Sequence, residues 1–567
     1  LGMHRVYNSA FMNMLKNEEN QKFRYTIKNV LEFNPEILKR FVNFMNNPDE
    51  DTAVAQFGRG DKNTGVAVLM STLPGLPMFG HGQVEGYTEK YGMEYKRAYW
   101  DEQPDDDLIW RHERFISPLL HRRHLFAEVR DFILYDFFTN HGGVNEDVFA
   151  YSNRAGDERS LVIYHNKFAD TEGWIRMSVA YSIPRGGDGE RELSQRSLGD
   201  ALGLPNDPEC FVIFRDLVQD LEYIRNCRDI HEQGLFVSLG AYQYQVFLDF
   251  RIVRDDGDHL YRKVFHFLEG RGVASLDQAL RNLYLQPLHR SLERLLEADF
   301  SRRLLAAQPT EPGMPVDRDI LDEFEQRQRE LLALAARFAG GKGNGKAVAR
   351  TCRRELDTLL QLPLVTLPEP VRSPLVRDFL HRGLADDPAA WPTLFGWLVC
   401  HRLGQPLRPD FATLSLSLLE EFNLGPRLVA FLQQSGLDEA EAARRLTLIR
   451  SLTEHQHSLT EDPTARPLQQ LLADLLEDPS IGNFLGVNRY EEQLWFNRES
   501  FKDFCVYLFT ISTVQLLTHT SLPPLELESR FQRLDLIIRR LLDAAPHSEY
   551  KVERLMELLA DKFFEGE

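Results

Sequence analysis

Cysteine is scarce in this chain, and what there is forms no pattern. The five residues, Cys210, Cys227, Cys352, Cys400 and Cys505, are odd in number, scattered and never spaced as C-x-x-C. That leaves no disulfide framework to read and suggests free thiols in a reducing, cytoplasmic compartment. Positive charge is also short: 66 basic against 85 acidic residues give a net charge of −19, which disfavours nucleic acid and anionic membrane surfaces as partners. No secretory leader is visible, and the chain opens at Leu1 as if in the middle of a domain. Long hydrophobic runs are missing as well. The least charged stretch, residues 504–525, contains Thr, Ser, Gln, His and two prolines, so it fits a buried helix and not a membrane span.

What is present is organised around FVNFMNNPDE, residues 41–50. Phe41, Val42, Phe44 and Met45 have the β-branched and aromatic bias of a short buried strand, and Asn47-Pro48-Asp49 is strong turn chemistry. Two readings follow. Asn47 is the N-cap of a helix, with Pro48 at the first helical position and Asp49 and Glu50 placed against the helix dipole; or the strand delivers carboxylates to a rim. Residues 10–15 and 22–31 read as helices leading into the strand, 64–71 as the helix that crosses back and 76–79 as the next strand. This α-then-β rhythm is that of a parallel sheet. Residues 108–138 carry helical periodicity punctuated by Pro118.

Three segments in order then resemble the end of the catalytic barrel of the α-amylase family, glycoside hydrolase family 13. Phe44, Asn47 and Asp49 match that family's F-x-x-N-H-D at the end of the seventh strand, with Pro48 in place of the His. The LPG-x-P lead-in at 73–77 is followed by Gly82, Gln83 and Glu85, which approximate the G-x-E turn of the eighth strand. Arg97, Trp100 and Asp101, within 96–102, echo a later basic-aromatic-acid segment. The resemblance implies an α-glucan or maltooligosaccharide substrate and a retaining mechanism. It assigns transition-state stabilisation to Asp49 and substrate binding to Asn47, Gln83, Glu85 and Trp100, with no metal or cofactor. Pro48 removes a side-chain donor, and some maltosyl-transferring relatives share an Asn-x-Pro-Asp form, so hydrolysis and transfer both stay open. No G-x-R-x-D segment precedes Phe41, and a complete (β/α)₈ barrel needs roughly 250 residues. The expectation is therefore a barrel remnant without its nucleophile and acid/base. A binding or scaffold protein with a degenerate barrel is the other class.

At 567 residues the chain has room for about three to five domains. The expected fold is α/β: the last strands and helices of a (β/α)₈ TIM barrel over 1–140, an antiparallel β-sandwich over 141–256, and a large all-α region over 257–567. Strands are expected at 149–152, 161–164, 174–181, 235–240 and 242–252, with a helical insertion at 211–227. Tyr242, Tyr244 and Phe247 read as strand core in preference to a surface sugar site. Helices are expected at 320–338, 414–433, 437–452, 501–517, 531–542 and 551–564, with partners that the sequence does not name. GGKGNGK at 340–346 fits part of a phosphate-binding loop, but Ala347 stands where Ser or Thr is needed and the segment follows a helix. A flexible linker near 339–347 is the expectation. His121 with His124, and His455 with His457, have no nearby Cys or acidic partner set resembling a zinc site and read as ordinary helix and loop positions.

Overall fold

The computed structural model describes residues 4–90, 97–185, 191–343, 345–364, 384, 387–459, 468–518 and 523–560. The chain divides into two compact units, Leu1–Leu283 and Tyr284–Glu567.

The first unit begins with three short parallel strands, in the order β1 (Val6–Tyr7), β2 (Phe41–Phe44) and β3 (Leu76–Met78). Helices α1 (Ser9–Lys16) and α2 (Asn20–Phe33) connect β1 to β2, and α3 (Ala53–Phe57) and α4 (Asp61–Thr72) connect β2 to β3. The pairing of Phe44 with Met78 puts the carboxyl ends of β2 and β3 side by side. The expected α-then-β rhythm and both expected strands are therefore found, and β1, too short at two residues to show periodicity, joins them. An amide ladder crosses the strands. Asn8 Nδ2 donates to Asn43 Oδ1 at 2.9 Å, and Asn43 Nδ2 donates to the Pro74 carbonyl at 3.2 Å.

Helical periodicity over 108–138 is realised only as far as Phe126, through Asp106–Arg111, the π-turn His112–Ile116, Ser117–His121 and Arg123–Phe126. The chain then enters β4 (Ile133–Thr139), the first strand of an antiparallel sheet. Seven more strands complete it: β5 (Val148–Ala155), β6 (Glu158–His165), β7 (Thr171–Ser178), β10 (Cys210–Asp216), β11 (Leu221–Asn226), β12 (Leu235–Leu239) and β13 (Tyr244–Arg254). A separate pair, β8 (Tyr181–Pro184) and β9 (Arg191–Ser194), forms its own hairpin. Two expectations are corrected here. The eight strands join one continuous sheet, in the order β11-β10-β13-β6-β5-β4-β7-β12, where a two-sheet sandwich was expected. Residues 211–227, expected as a helical insertion, form the β10–β11 hairpin of that sheet.

The parallel layer is bound to the sheet by polar groups. Arg24 of α2 is fully buried; it pairs with Asp136 at 2.7 Å and Glu146 at 2.5 Å, and donates to the carbonyls of Tyr135 at 3.3 Å and Val148 at 2.9 Å. Asn20 donates to Asp147 at 2.7 Å and to the Asn166 carbonyl at 2.8 Å, while Asn166 Nδ2 returns to the Leu15 carbonyl at 3.0 Å. Helix α4 is buried almost throughout. A Cβ on its Gly65 would lie 2.2 Å from the Tyr164 ring of β6, so only glycine permits that approach.

Among the described residues the second unit is helical apart from a small hairpin, Asn488–Tyr490 with Gln493–Trp495. The helices expected at 320–338, 437–452, 501–517 and 531–542 appear as Arg318–Phe338, Glu439–Glu454, Arg498–Thr518 and Pro524–His547. That expected at 414–433 divides into Ala412–Glu421 and Gly425–Gln434. Helix Val552–Ala560 covers part of 551–564, and residues 561–564 lie outside the described residues, as do 519–522 of the low-charge stretch. Ala390–Cys400 is buried on every side, the mark of a central helix. No described helix is long and apolar enough to cross a membrane. The glycine-rich run closes a turn between the packed helices Arg318–Phe338 and Gly345–Gln361. A Cβ on its Gly343 would meet the Pro406 carbonyl oxygen at 2.1 Å, so the run is held against residue 406 at that point although Ala339, Gly340 and Lys342 are exposed; Asn344 itself lies outside the described residues.

At the centre of this unit Glu355 is fully buried, held by Arg402 through Nε at 3.1 and 3.0 Å and by a further bond from Nη2, with His401 Nε2 at 3.1 Å. Burial alone would raise the Glu355 pKa, but the charges and hydrogen bonds of Arg402 and His401 outweigh it and bring it from 4.5 to about 2. A folded pKa below the unfolded one gives stability that is complete above pH 4.5 and is lost as the pH falls toward 2. Glu355→Gln should therefore destabilise this unit by about 3–5 kcal/mol at pH 7, because Arg402 stays buried without its counter-charge. The measurement is urea unfolding followed by thiol-reagent access to buried Cys352 and Cys400. The wild type, and not the variant, should lose on the order of 3 kcal/mol across that acid window.

Candidate functional site

The carboxyl ends of β2 and β3 carry the residues singled out from sequence. Beyond Phe44 the chain stays buried through Met45 and Asn46. Asn46 Nδ2 donates to the His81 carbonyl at 3.2 Å, which joins the two strand ends, while its Oδ1 is buried without a hydrogen bond. Gly80 makes room for this amide, since a Cβ there would lie 2.3 Å from Asn46 Oδ1.

Asn47 then turns the chain outward. Its Oδ1 accepts from the amides of Asp49 at 2.9 Å and Glu50 at 3.0 Å, and its carbonyl accepts from Glu50 at 3.2 Å. The expected helix start at Asn47 is not found, because the next helix begins at Ala53 with Thr52 as its N-cap; Asn47 closes a turn instead. Asp49 projects from the turn with an exposed side chain. Its carboxylate makes no hydrogen bond or ion pair among the described residues, and its carbonyl accepts from Lys90 Nζ at 2.8 Å. The turn is clamped from behind by Gln56, whose buried Nε2 donates to the carbonyls of Met45 and Asp51, both at 2.9 Å.

Gln83 departs from its expected role. Its side chain is fully buried, with Nε2 3.4 Å from Met45 Sδ and Oε1 accepting from the Gly80 amide at 3.4 Å. It braces the turn from inside and cannot touch a ligand on the rim surface. Glu85 is half-buried, and its carbonyl accepts from the Asp105 amide at 2.9 Å. Arg59 donates to the Gly86 carbonyl at 2.9 Å and pairs with Asp105. The Leu108 amide, followed by Arg59, holds the Asp105 carboxyl below its usual range.

Trp100 is 60% exposed. Its presentation depends on two carboxylates: Glu89 accepts from the amides of Tyr99 at 2.7 Å and Trp100 at 3.1 Å, and Glu102 accepts from the amides of Thr88 and Glu89, both at 2.8 Å. Arg97 lies over the Tyr99 ring at 5.9 Å. Lys96, part of the same segment, lies outside the described residues.

The rim also holds groups that sequence reading passed over. His112 is 3% exposed in the π-turn, and its Nδ1 donates to the Leu108 carbonyl at 2.9 Å, which leaves Nε2 as a buried acceptor with no hydrogen bond. Burial pushes its pKa down, against the pull of the Glu85 charge. A local π-turn in a helix is a common mark of functional sites, but the amphipathic pattern of 106–126 conceals it. Asn46 could have been found from its position at the strand end; Gln56 has no sequence signal.

The other sequence candidates resolve into ordinary contacts. Tyr244 and Phe247 are buried, and the Tyr242 hydroxyl donates to Glu18 at 2.6 Å. His124 lies 2.9 Å from Glu158, and His457 packs edge-on against Phe411. His455 lies 3.3 Å from Asp478, a residue the fold brings to it.

No family model and no curated protein matches the chain. Among solved structures it is similar to an α-amylase from Geobacillus thermoleovorans complexed with acarbose (14% identity, TM-score 0.27, 42% of this chain and 46% of that one). It is also similar to the Nostoc punctiforme debranching enzyme (14%, TM-score 0.26, 40% and 38%) and to a cyclomaltodextrinase (16%, TM-score 0.29, 43% and 37%). The chain spans less than half the length of each of these proteins.

Because Asn47 Oδ1 serves two amides, Asn47→Ala should cost about 0.5–2 kcal/mol of stability, whereas Asn47→Asp, which keeps the acceptor, should unfold within about 0.5 kcal/mol of wild type. Paired denaturant titrations measure both; equal losses would show that the turn does not depend on that oxygen.

Proposed function

We propose that the rim of β2 and β3 is part of an α-glucan site in an α-amylase-like glycoside hydrolase or maltosyl-transferring relative. In this reading 1–140 is the end of a (β/α)₈ barrel and residues beyond this chain supply the nucleophile and acid/base. The observation that carries the proposal is Asp49. Its carboxylate stands exposed and unpaired on a braced turn, at the carboxyl end of a parallel strand, where barrel enzymes place their chemistry.

Each residue then has a role. Asp49 accepts hydrogen bonds from sugar hydroxyls and stabilises the positive charge that develops on the ring in an oxocarbenium-like transition state. Asn47 offers Nδ2, its Oδ1 being committed to the turn. Trp100 gives an apolar face on which a sugar ring stacks, and Glu85 accepts at the far side. Gln83 acts indirectly, by holding the Gly80–Met45 contact. Pro48, exposed on the turn, makes none of the hydrogen bonds that a histidine would supply, so Asp49 carries more of the recognition.

A single carboxylate of this kind binds and stabilises but does not form a glycosyl-enzyme intermediate. The chain alone should therefore bind maltoheptaose or acarbose weakly, in the millimolar range of about −4 kcal/mol, and release no reducing sugar from starch. Asp49→Ala should abolish the binding seen by calorimetry or ligand-observed NMR with no loss of folded structure. Binding that persists in Asp49→Ala and Trp100→Ala would remove the rim from the site, and starch hydrolysis by the chain alone would show that the catalytic pair lies within it.

A further inference from the structure

Far from that rim in sequence, the β10–β13 pairing brings together a second set of ligating groups. Cys210 pairs with Arg254, so the residues just outside the ladder, Glu209 and Asp255, face each other, and the Asp255 amide donates to the Glu209 carbonyl at 2.8 Å. His259 follows one turn later, immediately before helix Leu260–Leu268, with a left-handed φ of 53°. One ligand atom from each of Glu209, Asp255 and His259 lies within 4.8 Å of the others.

The Asp255 side chain is completely buried. Its Oδ1 accepts from the Tyr261 amide at 3.1 Å, while its Oδ2 is buried and accepts no hydrogen bond. That oxygen points at His259 Nδ1, 3.4 Å away, and Arg262 Nε lies at 3.9 Å. The Arg262 guanidinium is spent instead on Glu209, which it bonds through Nη2 at 2.5 Å. Neighbouring acids are occupied elsewhere: Asp207 pairs with Arg254 at 3.1 Å and caps the Glu209 amide at 2.9 Å, and Asp256 accepts from the Asp258 amide at 3.1 Å. Two carboxylates thus share one guanidinium, and the buried Asp255 Oδ2 accepts no hydrogen bond.

We infer that Glu209, Asp255 and His259 form a binding site for a divalent transition metal of the zinc class. One imidazole nitrogen and two carboxylate oxygens are a three-ligand set that zinc takes at about 2.0–2.2 Å, with water completing the tetrahedron. Calcium and magnesium prefer all-oxygen sets. Closure requires only that the ligand atoms draw together and that Arg262, whose side chain is 37% exposed, swing outward. The bound ion then fastens the β13 end of the sheet to the helix that follows it.

The test uses the full chain, stripped with a chelator, and titrated with Zn²⁺ by calorimetry and with Co²⁺ by visible absorption. Wild type should bind at this site with a tetrahedral Co²⁺ spectrum, and Asp255→Asn and His259→Ala should each weaken that binding at least tenfold while keeping the wild-type circular dichroism spectrum. Arg262→Met removes the competing cation and should tighten the binding, an outcome that a variant with damaged folding cannot produce. The Glu454–His455–Asp478 group offers a comparable ligand set in the second unit, so Asp478→Asn serves as the control and should leave the binding intact. Zinc binding unchanged in Asp255→Asn and His259→Ala, lost only in Asp478→Asn, absent up to 1 mM metal, or weakened in Arg262→Met would each overturn the assignment.

Discussion

A guanidinium with no access to water cannot be left half satisfied, and Arg24 is such a group. Its two carboxylates come from β4 itself (Asp136) and from the β4–β5 connection (Glu146), and its two carbonyls belong to β4 and β5. Removing any of them exposes a charge to a medium that cannot solvate it, a penalty of several kcal/mol. Helix α2 therefore has one place on the sheet. Because α2 leads directly into the segment that opens β2, the same constraint fixes where that strand ends. Asp49 is on a turn, but its position derives from a helix whose charge is neutralised by another layer.

Around the rim the polar accounting is less complete. Asn46 Oδ1, Gln56 Oε1 and His112 Nε2 are all buried without a hydrogen bond. Each such atom costs about 1–3 kcal/mol relative to a satisfied one. Their bonded ends each brace this rim: the His81 carbonyl, the carbonyls of Met45 and Asp51, and the carbonyl that orients His112. The amides are placed for what their donors hold, at the expense of their acceptors, and the rim is stiff as a result.

Much of this was legible in the residues themselves. The apolar run before Asn47, the turn chemistry after it and the helical crossover to Leu76 identify two adjacent parallel strands without any long-range information. Residues 211–227 were not legible, for a definite reason. Phe211, Phe214, Leu217, Val218, Leu221 and Ile224 recur at helical spacing, and the break comes from Asp220, which takes a left-handed φ of 57° that its residue type does not announce. Gln83 was misjudged for another reason. A motif specifies residue type and order but not burial, and Gln83 is fully buried against Met45 and Gly80. Asn47, expected to cap a helix, closes a turn instead, and that turn carries the exposed Asp49.

Glu18 lies in the loop between α1 and α2, yet it accepts from Tyr242, two residues before the last strand of the sheet, and from Lys62 at 3.0 Å, with Lys167 at 3.2 Å. Burial resists its ionisation, but the Tyr242 hydroxyl and the two ammonium groups outweigh that and hold its pKa at about 2. The contact closes a loop of 224 residues. During synthesis the N-terminal helices emerge long before Tyr242 does, and β6, the neighbour of β13, also waits for that final strand. The Glu18 cluster and the β6 edge of the sheet are therefore completed only once the segment from Tyr242 through β13 is in place, so the N-terminal helices and the last strand of the sheet complete one another.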